Sequence, residues 1–543
     1  MYSNKENINV LTALMLKHGV RHVVVCPGSR NAPLVHNFGE DSHLECHPVT
    51  DERSAGFLAL GIALQDPDSP VAVCVTSGSA MLNLTPAVAE AHHRHCRLLV
   101  ISADRPGRWI DQLDGQTIVQ PGALGRFVAT SVNLPEPGND EERWHCNRLV
   151  NEAFIAMQRD SLPCHINVPV TEPLFDFTVS QLPDERAITY ARPDADTMKR
   201  LVSGTRRTMA VLAQMAPSAV NPDIIAKLGA MMPVLYEPLA VDGMPACFTD
   251  QMLAAIGNDN SYIPDLVVYM GANTVSKRLR HFLRRLPHTC NVAMVDSVGR
   301  LYDVSMHTTY LLQGSAADAV TGLLEARPEV EEDYREAWTC LHKNVATSHS
   351  RFTPPYSSML AVKLFEQTCK GGIVHYANSM AVRLGCIFAE GRHIHCNRGI
   401  NGIEGSVSTA AGTSLATDQN VYCVTGDLSF FYDSNALWQQ QLKGNLRILL
   451  LNNHCGAIFG TLPGLEASPV RDTMVAGGHN LSAEGICRQY GITYRRVDNA
   501  DFLADAVNWL GTAVSDRPVL LEVVTDAKAD SDAFEAYMNN IKK

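Results

Sequence analysis

Short apolar runs rich in valine, isoleucine and leucine alternate along the chain with longer amphipathic segments. "HVVVC" (22–26) and "VAVCV" (71–75) are such runs in the first third, and segments of helical length follow them. The alternation is weaker over residues 208–297 and strong again from "GIVHYA" (372–377) to "RPVLLEVV" (517–524). Strands that alternate with helices are typical of parallel sheets with crossover helices. We therefore predict an α/β fold of doubly wound parallel sheets.

Two polar, proline-containing segments interrupt this pattern. "LPDERAITYARPDAD" (182–196) contains two prolines, and "HSRFTPPYSS" (349–358) contains a double proline. Proline and small polar residues favour neither helix nor sheet, so both segments are interpreted as linkers. They divide the chain into three predicted domains, 1–185, 190–348 and 355–543, which fits a chain of 543 residues.

The outer thirds contain similar segments. "VAVCVTSGSAMLNLTPAVAEA" (71–91) and "NVYCVTGDLSFFYDSNALWQQ" (420–440) each begin with a strand that ends in Cys-Val-Thr. A glycine turn and a helix follow in both, and then a strand that begins with arginine. Two domains of one topology explain the similarity, although parallel α/β units in general share this pattern.

Composition and charge exclude several classes of protein. Hydrophobic residues make up 46% of the chain and charged residues 19%, which is typical of a globular protein. The net charge of −12 argues against nucleic-acid binding and against binding to anionic membranes. No apolar run approaches ~20 residues, and the first residues resemble no signal peptide. The 15 cysteines lack CxxC spacing, so we expect reduced thiols in a cytoplasmic protein.

Polar residues end two consecutive strands of the last third. Gly426 and Asp427 follow one apolar run, and Asn452 and Asn453 end the next. Ligands bind at the carboxyl ends of parallel strands, and a helix predicted to start near Ser429 would point its N-terminus there. Carboxylate, amide and carbonyl oxygens are ligands that Mg²⁺ prefers, with phosphate completing the set. The pattern favours a Mg²⁺–diphosphate site, and the alternative is a helix cap followed by a turn.

The Gly-Asp turn, with Asn453 26 residues after Asp427, resembles the cofactor-binding motif of thiamine-diphosphate enzymes. Their architecture has a pyrimidine-binding, a central and a diphosphate-binding domain, which the resemblance assigns to the three predicted domains in that order. It also implies a role for Glu52, in "HPVTDERSAGFLALGIAL" (47–64). In these enzymes a glutamate at this place hydrogen-bonds the aminopyrimidine ring and promotes loss of the thiazolium C2 proton. The alternative is an acidic residue in the first turn of a helix.

Further motifs resemble one family of these enzymes. "CPGSRNAPL" (26–34), "ISADRP" (101–106), "NRGINGIEGSVSTAAG" (397–412) and "GDLSFFYDSNAL" (426–437) are similar to motifs of the 2-succinyl-5-enolpyruvyl-6-hydroxy-3-cyclohexene-1-carboxylate (SEPHCHC) synthases of menaquinone biosynthesis. These transferases decarboxylate 2-oxoglutarate on thiamine diphosphate and add the resulting carbanion to isochorismate. Both substrates are dicarboxylates, for which arginine is the suited partner.

The resemblance implies roles for individual residues. It assigns catalysis to Glu52, Ser29, Arg30 and Gln116, and substrate binding to Arg105, Lys277, Arg278, Ser379, Arg383 and Arg398. It assigns cofactor binding to Glu52, Ile403, Gly426, Asp427, Leu428, Ser429, Asn453, Ile458 and Phe459, and metal binding to Asp427, Asn453 and the carbonyl of Cys455. For any single arginine the alternative is a solvated surface charge.

The chain departs from the family pattern at two places. His454 and Cys455 stand where glycine is common, and Gly115 precedes Gln116 where asparagine is often found. The resemblance implies thiamine diphosphate with Mg²⁺ or Mn²⁺, and a homodimer or homotetramer with active sites at subunit interfaces. Two alternatives remain: an acetolactate-synthase-like carboligase or decarboxylase, and a non-catalytic nucleotide-binding scaffold.

Overall fold

The computed structural model describes residues 1–461 and 464–542. The chain forms two compact units, one of residues 1–192 and 298–313 and the other of residues 193–297 and 314–543. The predicted boundaries of the three domains stay a prediction. Within the described residues no helix has the length and apolar character needed to cross a membrane. All fifteen cysteines are free, as expected from their spacing.

Helices and strands alternate along most of the described residues. The first third contains α1 (Glu6–Lys17), β1 (His22–Val25), α2 (Ala32–Glu40), β2 (Glu45–Pro48), α3 (Glu52–Ala63), β3 (Val71–Val75), α4 (Ser79–Leu82), α5 (Thr85–His93), β4 (Leu98–Asp104), β5 (Ser131–Asn133), α6 (Asp140–Asp160) and β6 (Cys164–Pro169). The middle contains β7 (Thr189–Ala191), α7 (Ala195–Val202), β8 (Thr208–Leu212), α8 (Pro222–Met231), β9 (Val234–Tyr236), α9 (Thr249–Ile256), β10 (Leu266–Met270), α10 (Lys277–Arg284), β11 (Asn291–Asp296), β12 (Thr308–Gln313), α11 (Ala316–Ala326) and α12 (Glu332–Arg351). The last third contains α13 (Ser358–Thr368), β13 (Ile373–Tyr376), α14 (Met380–Phe388), β14 (Ile394–His395), α15 (Ser406–Leu415), β15 (Val421–Gly426), α16 (Asp427–Tyr432), β16 (Leu446–Asn452), α17 (Glu484–Tyr490), β17 (Thr493–Val497), α18 (Leu503–Thr512), β18 (Val519–Val524) and α19 (Ala527–Ile541).

The strands form three six-stranded parallel sheets, which confirms the predicted fold class. The first sheet has the order β2-β1-β3-β4-β6-β5, and the third has the order β14-β13-β15-β16-β18-β17. These two orders are the same when strands are counted from the start of each sheet, so the predicted structural repeat of the outer thirds is confirmed. The middle sheet has a different order, β7-β12-β11-β10-β8-β9.

The first sheet is buried on both faces, which explains why its strands read as continuous apolar runs. All five residues of β3 are buried, and their side chains alternate between two cores. Val73 packs in one core with Ala59 of α3, and Ala72 packs in the other with Phe154 of α6. Because both faces are covered, the ends of the strands are the places left for ligands.

One prediction about element boundaries is wrong. The segment 182–196 contains a strand, because β7 pairs with β12, Thr189 lying opposite Tyr310. That pairing satisfies the backbone of a polar segment that has no apolar run of its own. The helix expected near Ser429 is present, and because it begins at Asp427 the carboxylate belongs to the first turn of α16.

Candidate active site in two groups of residues

Glu52 is the first residue of α3, directly after the loop that follows the edge strand β2. Asp51 caps the helix, because its carboxylate accepts a hydrogen bond of 2.9 Å from the backbone N–H of Ser54. The Glu52 side chain is partly exposed, and its Oε2 accepts a hydrogen bond of 3.1 Å from Nδ2 of Asn83. The sequence gives no sign of Asn83, which follows α4 and steadies one carboxylate oxygen.

Two of the predicted arginines of the first unit are already paired. Arg30 lies in the turn after β1 with a buried side chain, and it donates to the carbonyl of Val170 and to Glu172 at 3.0 Å. Arg105 follows β4 and forms an ion pair of 2.8 Å with Asp114. Both line a cleft of about 520 Å³ together with Arg108, Trp109, Gln112 and Leu113. Ser29 is exposed in the turn beside Arg30.

Gln116 adopts a left-handed backbone conformation with φ of 58°. Its Nε2 donates a hydrogen bond of 3.2 Å to the carbonyl of Ser77, and Gly78 follows with φ of 82°. A Cβ atom on Gly78 would lie 3.1 Å from Gln116 Cγ, so the close approach requires glycine there. At Gly115, where the chain departs from the family pattern, the backbone carbonyl accepts a hydrogen bond from Nε of Arg105, which holds the residue before Gln116.

Asp427, the predicted metal ligand that begins α16, belongs to the second unit. Its side chain is buried, and Oδ1 accepts a hydrogen bond of 2.6 Å from the N–H of Leu428. Oδ2 is buried without a hydrogen-bond partner in the described part of the chain and lies 3.5 Å from Nε2 of His479. Burial raises the pKa of Asp427 to about 6 and lowers that of His479, so the two form no ion pair at neutral pH. A buried carboxylate oxygen without a partner fits a metal ligand.

The two asparagines after β16 are held in place by different acidic residues. Nδ2 of Asn452 donates to the buried Glu522 at 2.7 Å, and Nδ2 of Asn453 donates to Asp530 at 2.8 Å. Asp530 also accepts hydrogen bonds from the backbone N–H and hydroxyl of Ser358. Nδ2 of Asn453 is thus engaged by a carboxylate, and its Oδ1 accepts a long hydrogen bond of 3.4 Å from the N–H of Cys455.

His454 lies at a position where the backbone conformation favours glycine. His454 has φ of 68°, the left-handed conformation that glycine adopts most readily. Its carbonyl accepts a hydrogen bond of 2.9 Å from the N–H of His479, which holds the turn. The histidine side chain therefore stands in a glycine-type conformation at a cost of ~1 kcal/mol or more. Burial and the surrounding acidic residues raise the pKa of the Cys455 thiol, which keeps it protonated.

Arg398 is buried next to Asn378, whose Nδ2 donates to the carbonyl of Gly402, the residue before Ile403. Arg398 donates to Oδ1 of Asn378 at 3.0 Å and to the carbonyl of Thr274 at 2.8 Å, while its Nε is buried without a partner in the described residues. Burial lowers the pKa of its guanidinium. Glu237, which sequence reasoning missed, accepts 2.7 Å hydrogen bonds from the N–H groups of Val275 and Ser276. This buried carboxylate fixes the segment that Arg398 contacts.

Lys277 and Arg278 form the first turn of α10, after the capping residue Ser276. Arg278 forms an ion pair with Asp250, and Lys277 is exposed. Arg278 and Cys455 line the same cleft of about 930 Å³. The structure therefore brings this predicted substrate-binding residue to the cleft of a predicted metal ligand.

The other predicted residues of the second unit lie at the start of α16, in the turn after the asparagines, and at the start of α14. The hydroxyl of Ser429 donates to the carbonyl of Ile403, whose side chain is partly exposed. Ile458 and Phe459 are half-buried in the turn after the asparagines, where a Cβ atom on Gly456 would lie 2.9 Å from the Phe459 ring. The remaining two residues lie at the start of α14: Ser379, with φ of 70°, precedes it, and the partly buried Arg383 lies in its first turn.

Comparisons with known proteins agree with this arrangement. The family model "Thiamine pyrophosphate enzyme, N-terminal TPP binding domain" matches residues 8–122, and the model "Thiamine pyrophosphate enzyme, C-terminal TPP binding domain" matches residues 377–523. Proteins named 2-succinyl-5-enolpyruvyl-6-hydroxy-3-cyclohexene-1-carboxylate synthase are similar over the full length. The protein of Bacteroides fragilis is 40% identical over 569 residues and that of Bacteroides thetaiotaomicron 38% over 560 residues, with 100% of each chain covered. The protein of Desulfotalea psychrophila is 34% identical, with 96% of this chain and 98% of that protein covered.

Proposed function

Because the chain belongs to the SEPHCHC synthase family of thiamine-diphosphate enzymes, we propose that it transfers the four-carbon unit left by decarboxylation of 2-oxoglutarate to isochorismate. The products are SEPHCHC and CO₂, a step of menaquinone biosynthesis. The single observation that carries the proposal is the buried Oδ2 of Asp427, which lacks a partner in the described chain at the end of a parallel strand. The comparisons do not favour the acetolactate-synthase-like or scaffold alternatives.

The residues after β15 and β16 fit a hard divalent cation. We propose that Asp427 Oδ2, Asn453 Oδ1 and the carbonyl of Cys455 hold Mg²⁺, or Mn²⁺ in its place, which binds the diphosphate of the cofactor. Carboxylate, amide and carbonyl oxygens form the ligand set that these ions prefer. The bound metal would offset the cost of an ionised Asp427 in a buried position.

Glu52 is the proton-transfer group of the proposed mechanism. Thiamine diphosphate supplies the electron sink that makes loss of CO₂ from a 2-oxoacid feasible. Glu52 is partly exposed, and Asn83 donates a hydrogen bond to its Oε2, which leaves Oε1 available for the proposed proton transfer. A carboxylate at this place accepts and returns one proton in each turnover.

The arginines suit the two dicarboxylate substrates. Nε of Arg398 is buried without a partner in the described residues, and Asn378 connects Arg398 to Gly402, the residue before Ile403. We therefore propose Arg398 as a group that binds a substrate carboxylate in the second unit. Arg30 and Arg105 lie in one cleft with their charges partly balanced by Glu172 and Asp114. A substrate carboxylate in that cleft would accept hydrogen bonds from guanidinium groups that also pair with Glu172 and Asp114. Its binding would therefore depend on the directions of the donor N–H groups more than on net charge.

We propose that the active enzyme is at least a homodimer, with Glu52 and Asp427 of each site supplied by different copies. Phe57 and Leu58, in the α3 helix that Glu52 begins, are 44% and 41% exposed, as expected for a surface that a second copy covers. Mixing E52Q and D427N subunits tests this: random exchange should restore about a quarter of wild-type activity in a dimer. Sites completed within one chain would give none. We expect the enzyme to act in the cytoplasm, where its thiols stay reduced.

The activity is tested by incubating the chain with thiamine diphosphate, Mg²⁺, 2-oxoglutarate and isochorismate, with mass-spectrometric detection of SEPHCHC. Pyruvate in place of 2-oxoglutarate is the control, because an acetolactate-synthase-like enzyme would prefer it. We expect product only with 2-oxoglutarate and only with isochorismate present. Product formed from pyruvate alone, or cofactor binding without turnover, would contradict the proposal.

A further inference from the structure

Three possible metal-binding side chains meet at the edge of the first sheet. Nδ1 of His22 lies 3.1 Å from Nε2 of His47, and each imidazole also approaches the carboxylate of Glu45. The distances to the nearest Glu45 oxygen are 3.5 Å from His22 and 3.9 Å from His47. Within the described residues these three side chains form a group whose ligand atoms all lie within 4.8 Å of one another.

The register of β1 and β2 explains this meeting. The two strands are parallel, with His22 opposite Glu45 and Val24 opposite His47. Residues two apart in a strand point to the same face, so all three side chains share one face of the sheet. Val24 on that face is fully buried in the core. His22 and Glu45 stand at the amino ends of their strands, where the same face reaches solvent.

This position separates the cluster from the candidate active site. Ser29 and Arg30 follow the carboxyl end of β1, whereas His22 is the first residue of that strand. The cluster therefore lies at the opposite end of the sheet from the residues proposed to bind substrate. Its side chains are partly exposed, 36% for His22, 28% for His47 and 68% for Glu45, so an ion from solvent can reach them.

The ligand types select the metal. Imidazole nitrogens suit Zn²⁺, Co²⁺, Ni²⁺ and Cu²⁺, whereas Mg²⁺ prefers oxygen ligands. Bonds of about 2.0–2.2 Å in a tetrahedral site place neighbouring ligand atoms about 3.3–3.6 Å apart. The two imidazole nitrogens are 3.1 Å apart, and Oε2 of Glu45 lies 3.5 Å from His22 while Oε1 lies 3.9 Å from His47. Small side-chain rotations would bring one Glu45 oxygen and both nitrogens to the tetrahedral separations. We propose that His22, Glu45 and His47 form a surface site for a borderline divalent transition-metal ion, typified by Zn²⁺, with water as the fourth ligand.

An ion at this site would join the edge strand to its neighbour. β2 pairs only with β1 and contains four residues, so its own ladder is short. The strand leads within four residues to Glu52, the first residue of α3. Metal binding should therefore slow hydrogen exchange of the backbone amides from Glu45 to Glu52.

The experiment uses the full chain saturated with thiamine diphosphate and Mg²⁺, so that the hard-oxygen site is filled. The protein is dialysed against buffered Zn²⁺, and bound zinc is counted by atomic emission for the wild type, H22Q, H47Q and H43Q. His43 is the matched control, because it is an exposed histidine two residues before β2 that lies outside the cluster. The cysteines contribute the same background to all four proteins.

We expect H22Q and H47Q to lose one zinc equivalent, or to bind it at least tenfold more weakly, while H43Q matches the wild type. With Co²⁺ as the probe, the wild type and H43Q should show the visible bands of a tetrahedral site that H22Q and H47Q lack. E45Q is the second test, because Glu45 is the most exposed of the three and its substitution should weaken binding without unfolding the chain. Equal zinc content in all the proteins, or an equal loss in H43Q, would overturn the proposal.

Discussion

Replacing Asp427 by asparagine should have opposite effects on stability in the absence and in the presence of the metal. The side chain is buried, and Oδ2 has no partner in the described residues. D427N removes the negative charge, keeps the size, and retains an oxygen for the hydrogen bond from the Leu428 N–H. Nδ1 of His479 accepts a hydrogen bond from the Leu481 N–H, so the neutral ring has its proton on Nε2. The new amide N–H would face that donor, which offsets part of the expected gain.

The magnitude follows from the raised pKa of Asp427, about 6 against an ordinary value of 3.8. The difference is about 2 pH units, and each unit corresponds to about 1.4 kcal/mol, so the ionised carboxylate costs the folded state up to about 3 kcal/mol. Between these two pH values the folded protein binds more protons than the unfolded chain, so stability falls as pH rises. The cost is complete at pH 8 and about half as large at pH 5.

Thermal unfolding of the wild type and D427N at pH 8 and pH 5 measures this effect. In EDTA at pH 8 the variant should unfold several degrees higher than the wild type, and the gap should shrink at pH 5. With thiamine diphosphate and Mg²⁺ the order should reverse, because only the wild type gains a metal ligand. The exposed Asp418 provides a control, since D418N should show neither effect.

Two results would refute the reasoning about Asp427. The first is a D427N protein that is less stable than the wild type in EDTA at pH 8, which would mean that the charge is well solvated or paired. The second is a variant that keeps the full Mg²⁺-dependent stabilisation by thiamine diphosphate, which would remove Asp427 from the metal site.

The remaining predictions concern three other residues. E52Q should bind thiamine diphosphate but exchange the thiazolium C2 proton for deuterium about 10²–10⁴-fold more slowly in a quenched NMR assay, and wild-type exchange would assign activation to another group. R398A should raise the KM for 2-oxoglutarate about ten- to a hundred-fold with cofactor affinity unchanged, as expected for loss of a charged hydrogen bond, and the reverse pattern would show a misassigned role. D530A should weaken Mg²⁺ binding about 10–100-fold in calorimetry, because the Asn453 amide loses its orienting partner, while the exposed D532A should not.

The strands that the sequence predicts are the ones with continuous apolar runs. β3 and β16 are buried along their whole length, so burial and pattern agree. The strands that it misses are short or polar: β7 has three residues, and β17 (Thr493–Val497) contains two arginines. β17 lies at the edge of its sheet and exists through pairing with β18, which no local pattern encodes.

The residues of the candidate site also fall into those that the sequence predicts and those that it misses. Residues inside short motifs, such as Asp427 and Asn453, could be identified because the motif itself carries the spacing. Supporting residues could not, because the contact joins distant parts of the chain: Asp530 lies 77 residues from the asparagine that it orients. Glu237 likewise lies 38 residues from the Val275 amide that it holds. Such carboxylates become visible only when the chain is folded.

The shared strand order of the outer sheets has an evolutionary consequence. A duplicated ancestor would have begun with two equivalent strand ends, one after β3 and one after β15. The first continues after β3 as Thr76-Ser77-Gly78, whereas the corresponding residues of the second, Thr425 and Gly426, end β15 and lead to the acidic Asp427. The two equivalent strand ends therefore differ in chemistry, because the first presents hydroxyl groups and a glycine and the second presents a carboxylate.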